Sequence, residues 1–194
     1  MMKSLAKIIN VLLHPVVVTI PGVFIIVYTS TSSLFLAFFW TFISIVFSSI
    51  VGVFVLYGVK KGFFNNLDVS NRKQRIILYP FIIAVVVLFV FSVYFLQGPR
   101  ILITASILII AALIFLDVVN TKIKVSGHVG VLSAFVTGLV YAFGGMSFLA
   151  FLFIPVIAWA RITEKRHTLQ ETIVGAICGI GLTLLAIFVV QFLI

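Results

Sequence analysis

The sequence predicts an all-α integral membrane protein: a bundle of about six to seven transmembrane helices forming a single domain over residues 1–194. Three observations predict it. Of the 194 residues, 63% are hydrophobic and only 9% are charged, with a mean hydropathy of +1.38; a soluble globule of this length leaves too much side-chain surface in water to hide so much apolar area. Apolar runs near the ~20 residues needed to span a bilayer recur at 8–28, 33–58, 79–97, 101–120, 127–144 and 172–194, with a shorter run at 147–160. The connections between them are short and leave almost no soluble domain.

The first run follows a basic start, "MMKSLAKIINVLLHPVVV". It lacks a small-x-small cleavage site and continues to Tyr28, so it reads as a retained helix rather than a signal peptide. His14, beside Pro15, reads as an interfacial residue. The next connections are "TSTS" near residue 30, the basic stretch 60–75, "QGPR" at 97–100, the stretch 120–127, "GGM" at 144–146 and the polar stretch 160–171. With seven spans in alternation, twelve of the thirteen cations fall on one side and only Arg100 falls on the other. The positive-inside rule makes the charged side cytoplasmic, in a cell inner or plasma membrane. The net charge of +9 arises because thirteen Lys and Arg stand against four Asp and Glu. That balance suits anionic headgroups or phosphate-bearing substrates. Nucleic acid is not an expected partner, because no long basic segment lies outside the membrane. Cys178 is the only cysteine, so no intrachain disulfide and no cysteine-based metal site is expected. Asp117, near the charged end of its span, is expected to pair with Lys122 or Lys124. Gly175-x3-Gly179 has the spacing of a helix-packing face.

Three polar clusters share the charged side. In "ARITEKRHTLQETIVG", Thr168 and Glu171 form a capping box ahead of the last run. His167 precedes Glu171 by one helical turn, so the carboxylate can hold one imidazole nitrogen, fix the tautomer and make the other a nucleophile. Arg161 ends the preceding span and is placed to point at the same spot, where a helix N-terminus already favours an anion. In "KIKVSGHVG", Ser126-Gly127-His128 opens a span. A Ser-Gly turn there exposes backbone N–H groups as an anion nest, with Ser126 as a candidate cap and Lys124 adding charge. In "LDVSNRKQRIILYP", Arg72 and Arg75 lie on one helical face, and two guanidiniums grip a phosphate well. Each cluster alone has a plain reading as a cap, an interfacial histidine or a basic loop. Together they supply the parts of phosphoryl transfer through a phosphohistidine: two histidines, a carboxylate beside one of them, and cations for the equatorial oxygens.

Arg161-x5-His167-x3-Glu171 resembles the third motif, Ser-Arg-x5-His-x3-Asp, of the type-2 phosphatidic acid phosphatase superfamily. Ser126-Gly127-His128 is similar to its second motif, Pro-Ser-Gly-His. Arg72 and Pro80 match part of its first motif, Lys-x6-Arg-Pro. A bacterial branch looks closer, with an Arg-x-x-Arg first motif (Arg72, Arg75) and a Lys-x-Ser-x-His second motif (Lys124, Ser126, His128). The resemblance covers residues 72–175. It implies an α-helical membrane bundle that needs no metal or other cofactor, with His167 as nucleophile, Glu171 as its orienting acid and His128 as general acid. Arg72, Lys124, Ser126, Gly127 and Arg161 would bind phosphate, with Arg75 standing in for the basic residue whose position Tyr79 occupies. Val125, Ala160 and Glu171 replace the family's Pro, Ser and Asp.

The expected function is therefore a metal-independent phosphatase whose partners are membrane lipids and a lipid phosphate substrate. The headgroup would be phosphatidate, phosphatidylglycerol phosphate or a polyprenyl phosphate or diphosphate. The alternative is a non-catalytic bundle that binds or carries an anionic lipid. Mg²⁺-dependent lipid enzymes require paired acidic motifs, and the four acids, Asp68, Asp117, Glu164 and Glu171, include no such pair.

Overall fold

In hydrocarbon every backbone N–H and C=O must be satisfied within the chain, which a helix achieves residue by residue. The structure, a computed structural model, describes residues 2–69 and 71–193. Among them are no strands and eight α-helices: α1 (Met2–Leu12), α2 (Pro15–Thr31), α3 (Leu34–Lys60), α4 (Arg75–Phe95), α5 (Arg100–Asn120), α6 (Gly127–Phe143), α7 (Phe153–Thr163) and α8 (Leu169–Leu193). Two 3₁₀ segments, Arg72–Gln74 and Gly145–Leu152, lead into α4 and α7. Six helical stretches are long and apolar enough to cross a membrane: Met2–Thr31, Leu34–Lys60, Arg72–Phe95, Arg100–Asn120, Gly145–Thr163 and Leu169–Val189. The chain is thus a multi-pass helical membrane protein. Large apolar side chains such as Phe35, Phe38, Phe42 and Phe95 are exposed, as they are when lipid is the solvent.

Two of the expected runs differ in detail. The first is broken at Leu13–His14, where Pro15 starts a new helix, because proline has no N–H to continue the old one; α1 is consequently a separate helix. The run at 147–160 begins as 3₁₀ after Gly144 and Gly145, both at positive φ, and becomes α-helical at Phe153.

The helices pack as two compact units, Ile20–Lys122 and Met1–Thr19 with Ile123–Ile194. In the first, Val27, Ala37, Trp40, Val93 and Leu102 form the core. Trp40 lies against Gly98 so closely that a Cβ there would stand 2.2 Å from the indole, so the α4–α5 turn requires glycine. Asp117, on α5, forms no ion pair among the described residues; Lys124 turns to another acid.

In the second unit α6 is the hub. Its 17 residues make it shorter than a usual span, and it buries His128, Val129, Gly130, Leu132, Ser133, Val136 and Thr137. The core there joins Val18, Val129, Leu132, Val136 and Ile157. α8 crosses α6 almost backbone to backbone. A Cβ on Gly175 would come within 2.7 Å of the Ser126 carbonyl oxygen, and one on Gly179 within 2.2 Å of the Gly130 carbonyl oxygen. The Gly175-x3-Gly179 spacing is therefore an internal packing face.

Since the obstacle is backbone, it cannot rotate away. Gly179→Ala is expected to destabilise the protein by about 1–3 kcal/mol, the usual range for overpacking. Gly181→Ala, with open space at its Cβ, should be neutral or stabilising by up to ~1 kcal/mol through helix propensity. Thermal unfolding of both variants in detergent checks the contrast.

Candidate functional site

The last turn of α7 carries Arg161, which is buried. The helix closes in a Schellman arrangement: the Arg166 N–H donates to the Arg161 carbonyl at 3.0 Å and the Lys165 N–H to the Ile162 carbonyl at 2.9 Å. Lys165 takes φ +56°, the left-handed position that glycine usually fills, at a cost of about 1–2 kcal/mol. The chain is thereby turned back, and His167 arrives beside the start of α8.

There the capping box forms in full. Thr168 Oγ1 accepts from the Glu171 N–H at 3.3 Å, and Glu171 Oε2 accepts from the Thr168 N–H at 3.2 Å. The same Oε2 lies 2.7 Å from His167 Nδ1 and 3.7 Å from Lys124 Nζ. With Nδ1–H donating to the carboxylate, the lone pair of the neutral ring resides on Nε2. His167 is buried, so this charge-assisted bond is worth more than its surface equivalent.

Lys124 stitches the α6 approach to this turn, because its ammonium also donates to the Arg166 carbonyl at 2.7 Å. One residue pair along, the Ser126 N–H donates to the Glu171 carbonyl at 3.2 Å. The N-termini of α6 and α8, both positive dipole ends, are thereby tied together. Ser126 holds the N-cap position of α6 (φ −79°, ψ 103°) but makes no side-chain cap bond, contrary to its expected role as a cap. Its Oγ is fully buried and has no hydrogen-bond partner among the described residues. A Cβ on Gly127 would meet open space, so room exists beside the exposed backbone of the first turn.

His128, in the first turn of α6, is buried. Its ring meets that of His14 edge-on, with centroids 4.9 Å apart and planes at 86°. His14 Nδ1 in turn accepts from the Val16 N–H at 3.3 Å, which fixes the His14 ring at the α1–α2 break. The sequence places His14 at the interface and does not predict this ring contact. The sequence signal that marks it is His-Pro interrupting an otherwise continuous apolar run.

One unit thus holds Lys124, Ser126, Gly127, His128, Arg161, His167 and Glu171, with Lys124, Ser126, His167 and Glu171 joined by direct bonds. Arg72 and Arg75 belong to the other unit. Arg72 Nη2 donates to the Thr121 carbonyl. Arg75 is buried; its Nη1 donates to Asn120 Oδ1 at 3.0 Å and its Nε to the Val69 carbonyl at 3.4 Å. Asn120 Nδ2 continues the chain to the Tyr79 hydroxyl at 3.1 Å. Tyr79, which stands where the resemblance leads one to expect a base, is therefore linked to Arg75 through a residue no motif contains.

No protein-family model, curated protein or solved structure matches this chain.

A hydroxyl that caps a helix and one that does not are separable by stability. Thr168→Ala is expected to cost about 1 kcal/mol, as for a lost N-cap. Ser126→Ala should cost nothing or stabilise, because it removes a buried hydroxyl that has no partner. Tm values for the two variants test this. An equal loss in both would assign Ser126 to the fold.

Proposed function

We propose that this protein is a membrane lipid phosphatase that hydrolyses a phosphate monoester or diphosphate headgroup through a phosphohistidine. The observation that carries this reading is the 2.7 Å contact of His167 Nδ1 with Glu171 Oε2, made at the start of α8, where the Ser126 N–H ties on the start of α6 and Lys124 pairs with the same carboxylate. A histidine held only for packing has no need of a carboxylate that a lysine also engages.

In the first step the Nε2 lone pair of His167 attacks the terminal phosphorus, its bond to the leaving oxygen breaks (the lipid oxygen of a monoester, the bridging oxygen of a diphosphate), and His128 gives that oxygen its proton. In the second step water attacks the phosphohistidine and the P–N bond breaks. Inorganic phosphate leaves, His167 regains its lone pair, and His128 recovers a proton from the water. Glu171 stabilises the positive ring that forms on attack. Arg161, Lys124 and the N–H groups at Gly127 and His128 hold the equatorial oxygens as charge shifts. The Ser126 hydroxyl supplies a further donor. His14 braces the ring of His128 so that its acidic nitrogen keeps its direction. The tail stays in or beside the bilayer, and the charge bias of the connections supports a site opening on the cytoplasmic face.

Phosphate release by purified protein in detergent with excess EDTA tests the proposal. Phosphatidate, phosphatidylglycerol phosphate and a polyprenyl diphosphate are the substrates to compare. Release is expected to persist in EDTA and to fall at least ~10³-fold in His167→Ala. If folded protein releases nothing from any of the three, the reading gives way to anionic-lipid binding.

One histidine must be neutral and the other protonated, so kcat/KM should trace a bell against pH. His128→Ala should remove the limb that reports the acid, most clearly with poor leaving groups. A flat profile across the histidine range contradicts the assignment.

A further inference from the structure

We infer that a second anion site, separate from the His167 centre, takes a phosphate group at the junction of α1 with the end of α7. A cavity of about 310 Å³ lies there, lined by Lys3, Lys7, Thr163, Glu164, Lys165 and Arg166. Four cations therefore line one cup with a single acid, and neither His167 nor Lys124 is among its walls.

Three features distinguish this cup from a scatter of basic residues at a membrane surface. First, its walls are fixed to each other. Asn10, buried on α1, donates from Nδ2 to Glu164 Oε2 at 2.6 Å, joining α1 to the C-cap of α7. That bond also engages the only carboxylate present, so Glu164 serves the wall while the cations retain an excess of charge. Second, Lys165 occupies its left-handed backbone position although glycine there would be cheaper. The chain accepts that strain and gains a cation at the rim. The α7 C-terminus carries half a negative charge, enough for one cation but not for four. Third, α1 is amphipathic. Ala6 and Asn10 are buried, while Met2, Leu5, Ile8 and Leu12 are exposed apolar residues flanking Lys3 and Lys7. Such a helix, at the outer end of the Met2–Thr31 stretch, is suited to meet lipid headgroups with Lys3 and Lys7. Four like charges lining one cup repel one another, and an anion between them relieves that repulsion.

The ligand chemistry is a phosphate bearing one or two negative charges, delivered either on an anionic lipid headgroup or as free phosphate. The experiment is thermal unfolding of the full chain in neutral micelles, with phosphatidylglycerol, phosphatidylcholine or inorganic phosphate added. Phosphatidylglycerol is expected to raise Tm by several degrees and phosphatidylcholine to leave it unchanged. A comparable rise with millimolar inorganic phosphate would identify free phosphate as the source. Lys3→Gln/Lys7→Gln, both on an exposed face, should reduce apparent affinity at least ~10-fold. Lys165→Gly should do the same while relieving the backbone, so loss of fold cannot account for its effect. His167→Ala should bind as the wild type does, which keeps this site distinct from the proposed catalysis. Stabilisation that survives both cup variants, or that disappears in His167→Ala alone, would place the anion elsewhere and overturn the inference.

Discussion

A single carboxylate oxygen organises the polar end of this bundle. Glu171 Oε2 accepts from the Thr168 N–H, holds His167 Nδ1 and draws Lys124 toward it. The first contact starts α8, the second sets the tautomer of a buried imidazole, and the third ties the approach to α6 onto the α7–α8 turn. An acid beside apolar helices is costly without partners. With these three its charge is distributed over groups that each need it, so folding and the chemistry proposed for the site draw on the same oxygen. The reach of the Glu side chain suits this geometry, since one oxygen meets both the cap N–H and the ring.

The backbone packing beneath that oxygen explains why the arrangement holds its position. α6 and α8 approach so closely that no Cβ fits at Gly175 or Gly179, and the Ser126 N–H reaches the Glu171 carbonyl only because they do. Dispersion and backbone contact, rather than the hydrophobic effect, drive such packing in lipid. The small residues deep in the bundle and the charged ones at its end are therefore parts of one device. The glycines bring two helix N-termini together, so that their positive dipole ends converge.

Much of this was legible in the sequence. Apolar runs set the helices because spanning length is dictated by bilayer thickness. The capping box and the His167–Glu171 pair were legible because both are local, within one helical turn. Contacts between distant segments were not. Nothing in the pattern places His14 against His128, Asn10 on Glu164 or Asn120 between Arg75 and Tyr79; each depends on how helices rotate about their axes, which apolar runs of uniform composition do not encode. Ser126 looked like a cap by residue type, yet its hydroxyl is turned away from that task. The break at His14–Pro15 carried a proline signal that the surrounding hydropathy obscured.

The most direct measurement is to look for phosphate on the imidazole. Wild-type protein mixed with a lipid phosphate, quenched in alkali where phosphohistidine survives, and mapped by peptide mass spectrometry should carry the adduct on His167. The adduct should be lost in His167→Ala and strongly reduced in Glu171→Ala. Lipid phosphate turned over with no phosphorylated histidine, or with the phosphate found on another residue, would contradict the account.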